Sequence, residues 1–484
     1  MAHFKTILLA ATALTVIAGA AHAADNDSAG NKSYIYQGTF DGSVSRDNTA
    51  AIDQSAGTDN EAGNAAQNLL QHGQENKISV TQSGSSNDVG LTGDGVEQYG
   101  YRNTLTISQT SNSNVVGEVI QRAGNRSGIT PRALAIANTD SNAVQVTQGG
   151  TGGNTVESVK QTKDRPGDAN ATTINQTGGN NRVAKVEQTG AGNNANLTFS
   201  GSSNGRGLLT GVASVGAASS SVSQSGTGNA ASLNVTGSQN QFGISQTGTS
   251  NTVGQLTITG TANELGILQN GDTNVVALGT VDGNDNQIGL QQYGTNTATV
   301  NVRGAQSNKN DVSVYQNGTN TASLTIGSVG GASDNAFTLS QTDFNSATLV
   351  VKAGNSNQLN VTQSGSSVGS ENSATVNIWG SFNNAGSFGA NDAGSIGLTA
   401  GNLIQSGSGN SIAMTVGLTD ASNGNLFAFK QNGSNNSITG SIDGNNGAGT
   451  GLSTGNQVAV LQTGNGNSTT FAQVGSGNVI GVQQ

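Results

Sequence analysis

One seven-residue frame recurs along most of this 484-residue chain and limits its possible folds more than any other feature. The frame reads Asn-x-apolar-x-apolar-x-Gln. Alternate residues of a strand point to opposite faces, so the frame places Asn, two apolar or small residues and Gln on one face. It predicts β-strands and not helices. Fifteen copies are found at 48–54, 76–82, 103–109, 142–148, 170–176, 240–246, 263–269, 286–292, 310–316, 335–341, 357–363, 425–431, 456–462, 467–473 and 478–484, and four copies one residue longer at 64–71, 114–121, 154–161 and 181–188.

A second fixed element, Gln-x-Gly-x-x-Asn, follows the closing Gln of many frames. Gly reaches backbone angles that are closed to other residues, and Asn tolerates the left-handed region. The spacing therefore predicts a tight turn that opens the next strand. The predicted turn glycines are Gly73, Gly84, Gly100, Gly178, Gly190, Gly226, Gly248, Gly271, Gly407, Gly433, Gly464 and Gly475.

The distance between closing Gln residues predicts how the strands are arranged. Between residues 224 and 363 a closing Gln recurs every 22 to 25 residues, and a second strand that begins with Asn and ends at Gly lies inside each interval, as at 229–237. Strand, turn, strand and turn bring the chain back to its starting point one layer higher. The sequence thus predicts an all-β, cross-β-like β-solenoid with coils of about 22–25 residues.

Stacked amides explain how so polar a chain can hold a solenoid together. Only 33% of the residues are hydrophobic and 72 are Gly, a composition that by itself favours disorder. Asn and Gln in register along the axis can satisfy one another as ladders. The predicted ladder residues are Asn76, Gln82, Asn103, Gln109, Asn240, Gln246, Asn263, Gln269, Asn310, Gln316, Asn357, Gln363, Asn456, Gln462, Asn467, Gln473, Asn478 and Gln484.

The amino terminus has the features of a secretory signal peptide. Lys5 precedes a mostly apolar stretch at 6–20, and Ala21-His22-Ala23 fits a small-x-small cleavage site. We predict a signal peptide at 1–23, a secreted product that begins at Ala24, and no membrane span after cleavage. A non-repeat segment at 24–47 then precedes a repeat array at 48–484. Irregular stretches are expected near 122–170, 201–223, 381–404 and 440–452, the first of which contains both prolines.

The residue inventory argues against most enzyme chemistry. The chain has no cysteine, and His72 is the one histidine beyond the predicted leader. Its place in a turn indicates a variable surface residue. The carboxylates are scattered, and the pair Asp282 and Asp285 fits a solvated turn better than a metal site. We therefore predict no enzyme activity and no catalytic, cofactor-binding or metal residue. A net charge of −10 without clustered Lys or Arg argues against nucleic acid as a partner.

Two features favour self-association. Fourteen of the eighteen basic residues lie at or before Arg206, so 207–484 forms a long repeat array of low charge. Such segments suit self-stacking cross-β structures. The repeat 478–484 is complete, and no cap follows it in the sequence. A terminal strand of this kind offers an open edge, and another copy has the matching period. Because head-to-tail addition does not close, it would give a filament.

The combined motif, Gln-x-Gly-x-x-Asn-x-apolar-x-apolar-x-Gln, resembles the curlin repeat. It is read at Gln71–Gln82, Gln98–Gln109, Gln462–Gln473 and Gln473–Gln484, and with one extra residue at Gln176–Gln188. The resemblance implies a secreted bacterial functional amyloid that polymerises into curli fibres in the biofilm matrix. It also implies inward-facing Asn and Gln, an outer-membrane secretion apparatus and a nucleator subunit as partners. This chain is several times longer than the curli major subunit, and its many Gly-ended strands depart from that pattern.

Other functions remain open at the level of sequence. The leading prediction is a structural subunit of an extracellular fibre that serves adhesion and the biofilm matrix. A curli-type nucleator or a monomeric surface adhesin would use the same solenoid. An ice-binding solenoid would need aligned outward Thr-x-Thr rows, which positions such as Gln241, Gly243 and Ser245 do not supply. A glycan-cleaving β-helix would need carboxylates at matching positions in neighbouring layers, where the repeats carry Thr, Ser, Gln and Gly instead.

Overall fold

A computed structural model confirms the predicted fold class: the chain forms parallel β-solenoids. The structure describes residues 30–38, 47–54, 56–64, 66–123, 141–163, 167–277, 279–389, 392–444 and 455–484. The contacts divide the chain into two compact units, whereas the sequence predicted one array. Unit 1 comprises Met1–Arg206 and Ser220–Ala230, and unit 2 comprises Gly207–Ser219 and Ala231–Gln484.

Unit 1 is built from short strands, each followed by a turn. The alternation of small or branched apolar residues with polar ones suits a strand buried on one face. The strands are β1 Lys32–Ser33, β2 Ile35–Gly38, β3 Thr49–Asp53, β4 Glu61–Ala62, β5 Leu69–Gln74, β6 Lys77–Gln82, β7 Asp88–Val89, β8 Val96–Tyr101, β9 Thr104–Gln109, β10 Val115–Ala123, β11 Asn142–Gln148, β12 Thr155–Lys163, β13 Asn170–Gln176, β14 Arg182–Ala191, β15 Asn194–Phe199 and β16 Ser221–Thr227.

Alternate strands of unit 1 stack into two parallel sheets. Sheet 1A runs from β1 and β2 through β4 and β5, then β7 and β8, to β10, β12, β14 and β16. Sheet 1B runs through β3, β6, β9, β11, β13 and β15. Every strand pair is parallel and in register, so that Gln71 lies beside Gln98 and Gln82 beside Gln109. One coil therefore contributes one rung to each sheet.

Unit 2 has the same plan with longer strands, two of which bend from one sheet into the other. The strands are β17 Ala230–Ser238, β18 Gln241–Thr249, β19 Thr252–Thr261, β20 Glu264–Asn270, β21 Val275–Val276, β22 Gly279–Asn284, β23 Gln287–Gly294, β24 Thr297–Val302, β25 Asp311–Ile326, β26 Ala336–Ala353, β27 Gln358–Ser364, β28 Asn372–Trp379, β29 Asn402–Ser406, β30 Ser411–Val416, β31 Leu426–Asn432, β32 Ser437–Asp443, β33 Gln457–Thr463, β34 Ser468–Val474 and β35 Val479–Gln483. A short helix, α1, spans Asp392–Ser395, and a 3-10 turn spans Gly211–Ala213.

The sheets of unit 2 also stack in register. Sheet 2A contains β18, β20, β23, the first halves of β25 and β26, and then β27, β29, β31, β33 and β35. Sheet 2B contains β19, β21 with β22, β24, the second halves of β25 and β26, and then β28, β30, β32 and β34. Closing Gln residues from Gln246 to Gln363 are 22 to 25 residues apart, as predicted. Longer coils occur elsewhere, for example the 40 residues from Gln121 to Gln161 in unit 1.

A thin strip of apolar side chains fills the space between the two sheets of each unit. In unit 1 the strip includes Ile78, Val80, Leu105 and Ile107, all at most 2% exposed. In unit 2 a small residue lies beside a large one, because Gly440 on β32 leaves room for the ring of its register partner Phe471 on β34. A core this narrow holds few side chains per layer, so the polar residues at its margins must also be satisfied.

Two irregular stretches pack on the outer face of sheet 2A instead of interrupting it. Residues 207–219, here called the first strap, cross a column of glycines on β18, β20 and β23. A Cβ atom added at Gly266 would lie 1.9 Å from the carbonyl oxygen of Ala213, so only glycine leaves room for the strap there. Gly243 and Gly289 play the same part beside Ala218 and Val212. The strap is held by Thr210, whose N–H and hydroxyl both donate to the Glu264 carboxylate.

A second strap, 385–389 with 392–401, covers small residues on later strands of the same sheet. Ala428 and Ala459 are aligned there, fully buried, with Gly481 next in the column. Helix α1 packs against β33 and β35, and the N–H of Gly389 donates to Gln457 Oε1 at 3.1 Å. The predicted irregular stretches 201–223 and 381–404 thus contain covering segments.

Several predicted features lie wholly or largely outside the described residues. They are the signal peptide at 1–23, both prolines with their surroundings at 124–140 and 164–166, and most of the irregular stretch 440–452. The described part of 24–47 does contain strands, because β1 and β2 pair with β4 and β5. The first layer therefore precedes the predicted start of the array at 48. Among the described residues, none of the helices is long and apolar enough to cross a membrane.

Candidate functional site: amide ladders and open strand edges

The ladder asparagines connect successive layers and bond the backbone of their own turn or of a neighbouring turn. The backbone N–H and Nδ2 of Asn103 both donate to Oδ1 of Asn76 in the preceding layer, at 3.0 Å. Asn103 Nδ2 also donates to the Tyr99 carbonyl, four residues earlier in the same turn. Asn76 Nδ2 in turn reaches the Gly100 carbonyl of the following layer. Asn is suited to this position because its short amide offers one acceptor and two donors.

Two asparagine ladders run through each unit, one at each turn of the coil. The structure places every predicted Asn on one of these ladders. Asn467 is the one predicted member of the ladder that begins at Asn251, and the ladder that begins at Asn31 contains none of the predicted ladder residues. The ladders of unit 1 are Asn31, 60, 87, 114, 154, 181, 204 and Asn48, 76, 103, 142, 170, 193, 229. Those of unit 2 are Asn240, 263, 286, 310, 335, 357, 383, 425, 456, 478 and Asn251, 274, 296, 320, 345, 372, 410, 436, 467.

The closing glutamines form a further set of ladders. Gln71 Nε2 donates to Gln98 Oε1 at 2.9 Å, and Gln98 Nε2 also donates to the Lys77 carbonyl on the opposite sheet. Each amide therefore joins successive layers and ties the two sheets of a coil together. The ladders are Gln37, 71, 98, 121, 161, 188, 224 on sheet 1A, Gln54, 82, 109, 148, 176 on sheet 1B and Gln246, 269, 292, 316, 341, 363, 405, 431, 462, 484 on sheet 2A.

Sheet 2B has an apolar column at the position that glutamine occupies in the other three sheets. The members are buried and at most 4% exposed. Gln473 on β34 breaks this column, because its register partner on β32 is Ile442. The predicted ladder residue Gln473 is thus stacked on an aliphatic side chain. The column runs through Ile258, Val281, Val302, Ile326, Val351, Ile378, Val416 and Ile442.

The two kinds of ladder have opposite directions. An asparagine donates to the preceding layer, as Asn478 does to Asn456, whereas a glutamine donates to the following layer, as Gln462 does to Gln484. Every layer therefore presents Gln donors and Asn acceptors on one side, and Gln acceptors and Asn donors on the other. Two identical sides do not match, so stacking on these ladders has one polarity.

The turn residues that adopt left-handed backbone conformations are only partly those that were predicted. Gly100 has φ of 97°, and a Cβ there would lie 1.8 Å from the Ala123 carbonyl oxygen. Ten of the twelve predicted glycines have positive φ; Gly84 and Gly178 do not, and they are required instead by the close backbone of the next layer. The ladder Asn itself is not left-handed. In most of the turns the residue before the ladder Asn is left-handed, as with Arg102 at φ 56° and Ala262 at φ 58°.

The frame predicted at 64–71 is displaced in the structure. Asn60 takes the ladder position, and the residues between β4 and β5 form an inserted loop. Asn64 belongs to that loop, where its Nδ2 donates to Gln67 Oε1. The other lengthened frames, at 114–121, 154–161 and 181–188, keep Asn and Gln on the ladders. Their extra residue lies between two buried valines, such as Val116 and Val119.

Each unit has strands whose outer edge is unpaired within the described residues. In unit 2, β34 pairs with β32 alone and β35 with β33 alone. The N–H of Gln484 donates to Leu461, and Gln484 accepts from Thr463, so alternate residues such as Gln483 direct their backbone groups to the open side. In unit 1, β1 pairs only with β4, β2 with β5 and β3 with β6. Such edges are templates for another strand.

Charged groups are concentrated on unit 1. Ion pairs connect layers there, including Arg102 to Glu75 at 2.6 Å and Lys160 to Glu118 at 2.9 Å. Glu118 is 7% exposed and accepts from the Ser158 hydroxyl and the Asp94 N–H. Burial opposes its ionisation, but these donors and the Lys160 ammonium hold the pKa of Glu118 below its ordinary value. Burial and the neighbouring Glu61 carboxylate raise the pKa of Asp88.

His72 lies on the outer face of β5, within a short aromatic row. Its ring stacks on Tyr99 with centroids 5.1 Å apart, and Tyr36 lies on the other side at 6.1 Å. The Arg122 guanidinium is 5.7 Å from the centre of the Tyr99 ring. Among the described residues no group of three or more His, Cys, Asp or Glu side chains is placed to hold a metal ion.

Comparison with known proteins adds no assignment. A scan against protein-family models finds no match, and a search of curated proteins finds none either.

Proposed function

We propose that this chain is a structural subunit of an extracellular, curli-like fibre that assembles by edge-to-edge stacking of its solenoid coils. Adhesion and formation of a biofilm matrix would be the physiological result. The curlin-like repeat of the sequence, the amide ladders and the unpaired strand edges support this function.

The observation that carries the proposal is that the strands of the outermost coils are paired on one side only within the described residues. The strands β34 and β35 have one neighbour each within the described residues, and β1, β2 and β3 are in the same state. The outermost ladder amides, such as Gln484 and Gln37, also have a glutamine partner in one neighbouring layer only. A further layer of the same kind would satisfy the backbone and the ladder amides together. Another copy of this chain offers such a layer.

The surface charge also supports assembly. Beyond Arg206 the chain has four basic residues, Arg303, Lys309, Lys352 and Lys430. Soluble β-proteins often protect their edges with charged or inward-pointing residues. The exposed positions of β34 and β35 include Ser468, Thr470, Val474 and Gln483, none of which carries a charge. Repulsion between copies is therefore small at this edge.

The predicted leader and the curlin-like repeat extend the proposal to localisation and partners. We place the product outside the cell and expect a secretion apparatus in the outer membrane and a nucleator subunit as partners. We propose no membrane span after cleavage of the leader, no nucleic-acid partner and no enzymatic activity for this protein.

Assembly can be tested directly with the chain that begins at Ala24. The protein is purified in denaturant, diluted into buffer and followed by thioflavin T fluorescence, electron microscopy and fibre diffraction. We expect a lag that seeds abolish, followed by fibres with a reflection near 4.7 Å, the spacing of neighbouring strands. A β-rich monomer that neither seeds nor elongates would overturn the proposal and favour the nucleator or adhesin.

An edge variant separates stacking from general aggregation. In Gln483→Pro the lost N–H faces the open side of β35, so the coil keeps its hydrogen bonds to β33. We expect this variant to fold and to elongate seeds much more slowly than wild type. The matched control, Gln483→Thr, changes the same exposed side chain and keeps the N–H, so it should elongate normally. Equal elongation of both variants would show that the β35 edge is not used.

A further inference from the structure

The last rung of sheet 2B departs from the pattern of its own sheet. Eight successive rungs, from Ile258 to Ile442, place an aliphatic side chain in the same buried column. The ninth places Gln473 there, 3% exposed. An aliphatic residue would continue the column without burying a polar group, so packing inside the subunit gives no reason for glutamine.

The contacts of Gln473 show that its amide is only partly satisfied. Nε2 donates to the Gln457 carbonyl at 3.2 Å. Oε1 is buried and has no hydrogen-bond partner among the described residues. In a complete ladder Oε1 accepts from the glutamine of the preceding layer, but here that layer supplies Ile442. Rotating the Gln473 amide by half a turn would exchange Oε1 and Nε2, and a polar atom would still face Ile442. A buried polar atom without a partner destabilises the subunit.

The first layer of unit 1 has the complementary arrangement. Gln37 Nε2 donates to Gln71 Oε1, and Gln54 Nε2 donates to Gln82 Oε1, both at 2.7 Å. Their donors thus face into the unit, and each Oε1 remains for a donor from a preceding layer. The last layer of unit 2 carries glutamine in both sheets, Gln473 and Gln484, with the donor direction required. These two layers match in residue type and in polarity.

We propose that Gln473 is a docking residue for a second copy of this chain, which places Gln37 on Gln473 and Gln54 on Gln484. The inference rests on the proposed fibre function and specifies its junction. Strands alternate between the sheets, so the strand that follows β35 in the stack lies on β34. Placing β2 on β34 and β3 on β35 continues both sheets without a missing rung. The reverse assignment leaves a gap on β34.

The junction explains why glutamine replaces the aliphatic residue. When Gln37 lies above Gln473, the remaining proton of Gln473 Nε2 can be donated to Gln37 Oε1, while Gln473 Oε1 still faces Ile442. A valine at 473 would suit the subunit alone, but it would leave Gln37 Oε1 buried and unpaired at the junction. The isolated subunit favours valine at position 473, whereas the junction favours glutamine. The residue present, Gln473, is the one that suits the junction.

The test is a cycle of four proteins from Ala24 onward: wild type, Gln473→Val, Gln37→Val and the double variant. Each is elongated on seeds of its own kind, so that every new junction has the chosen pair. One unpaired buried amide at the junction should slow elongation about tenfold in each single variant. The double variant, with valine on valine, should elongate faster than either single variant. Gln473→Val should also protect β34 against hydrogen exchange in the monomer at least as well as wild type does.

A second double variant tests the register. Gln54→Val with Gln473→Val places the two valines in different columns, so it should remain slow. Restoration by this pair instead of the first would overturn the assignment. Fibres from all variants with wild-type elongation rates would also overturn it while leaving the fibre function intact. If wild type forms no fibres, the proposed function fails and this inference fails with it.

Discussion

Unit 1 and unit 2 solve the same packing problem with different chemistry. In unit 1 both sheets carry a glutamine ladder, whereas in unit 2 sheet 2A carries glutamine and sheet 2B carries the aliphatic column from Ile258 to Ile442. The asparagine ladders are common to both units. Ion pairs between layers occur in unit 1, where most basic residues lie.

The difference shows that a solenoid column needs uniformity more than a particular residue. A glutamine between two glutamines has its donor and acceptor satisfied, and an isoleucine between two valines is packed in hydrocarbon. Each arrangement is stable as a run. The cost arises where the type changes, because an amide then meets a side chain that cannot pair with it.

Two such changes occur within the units. In sheet 1B the ladder ends where Phe199 follows Gln176, so the Gln176 amide has no glutamine in the next layer. In sheet 2B the change has the opposite order, since Gln473 follows Ile442. The change from Gln176 to Phe199 lies on β15, the last strand of sheet 1B, and the change from Ile442 to Gln473 lies on β34, at the open edge of sheet 2B. Changes of residue type are therefore confined to the margins of these sheets.

The largest effect should come from placing the wrong residue type inside a uniform run. Ile326→Gln puts an amide between Val302 and Val351, where neither neighbour can pair with it. Lost apolar burial and an unpaired amide should together cost about 3–5 kcal/mol of local stability. Native-state hydrogen exchange in β24 to β26 measures this loss.

The control for this substitution is Ile326→Val, which keeps the residue type and should cost about 1 kcal/mol. If Ile326→Gln is tolerated as well as Ile326→Val, uniformity of the column does not govern stability in unit 2.

Removing a ladder asparagine should have a nearly equal effect in both units, because this ladder is the feature they share. Asn103→Ala in unit 1 and Asn310→Ala in unit 2 each remove an amide that bonds its own turn or a neighbouring turn and two layers. We expect a loss of about 2–4 kcal/mol at each site. Hydrogen exchange of the adjoining turns provides the measurement. A loss in one unit only would show that the ladders are not equivalent.

A glycine in place of a left-handed residue should stabilise a turn. Ala262 precedes Asn263 at φ 58°, a region that disfavours residues with a Cβ. Ala262→Gly should therefore raise local stability by up to about 1 kcal/mol, less the entropy of a more flexible unfolded chain. Ala231→Gly, in the strand β17, is the matched control and should have the opposite sign. Destabilisation by both would contradict the assigned role of the turn.

The smallest effects concern charge and distinguish two carboxyl groups of unit 1. Burial and Glu61 raise the folded-state pKa of Asp88, so its ionisation opposes folding. Asp88→Asn should stabilise unit 1 at neutral pH, and the gain should vanish once the pH falls below the ordinary Asp pKa of 3.8. The pH dependence of hydrogen exchange in β7 provides the test.

Glu118 should behave in the opposite way, since its folded-state pKa is lowered. Its ionised form contributes stability that is present above its ordinary pKa and is lost as the pH falls through the lower folded value. Glu118→Gln should therefore destabilise unit 1 at neutral pH. The same sign for both substitutions would contradict the assigned environments.

Much of this architecture follows from the sequence because one period is repeated so often. Alternation gave the strands, the Gln-x-Gly-x-x-Asn spacing gave the turns, and the pairing of Asn76 with Asn103 follows from stacking coils in register. The predicted ladder amides do lie in the interior, apart from those of the open layers. Identical residues at a constant interval leave few ways to stack.

Other features depend on contacts that no local pattern records. Asn31 and Gln37 take ladder positions in a segment interpreted as non-repeat, where Ser33 stands at the first apolar position of the frame. The first strap could not be placed because its partners, Gly243, Gly266 and Gly289, lie far along the chain. Gln473 fits the frame in sequence, and only the register with Ile442 shows that it breaks its column.

Electron cryomicroscopy of assembled fibres would test the central claim most directly. We predict one continuous stack through each junction, with β2 about 4.8 Å above β34, β3 the same distance above β35, and Gln37 over Gln473. Fibres in which copies meet through sheet faces, or in which two like edges meet, would contradict the account.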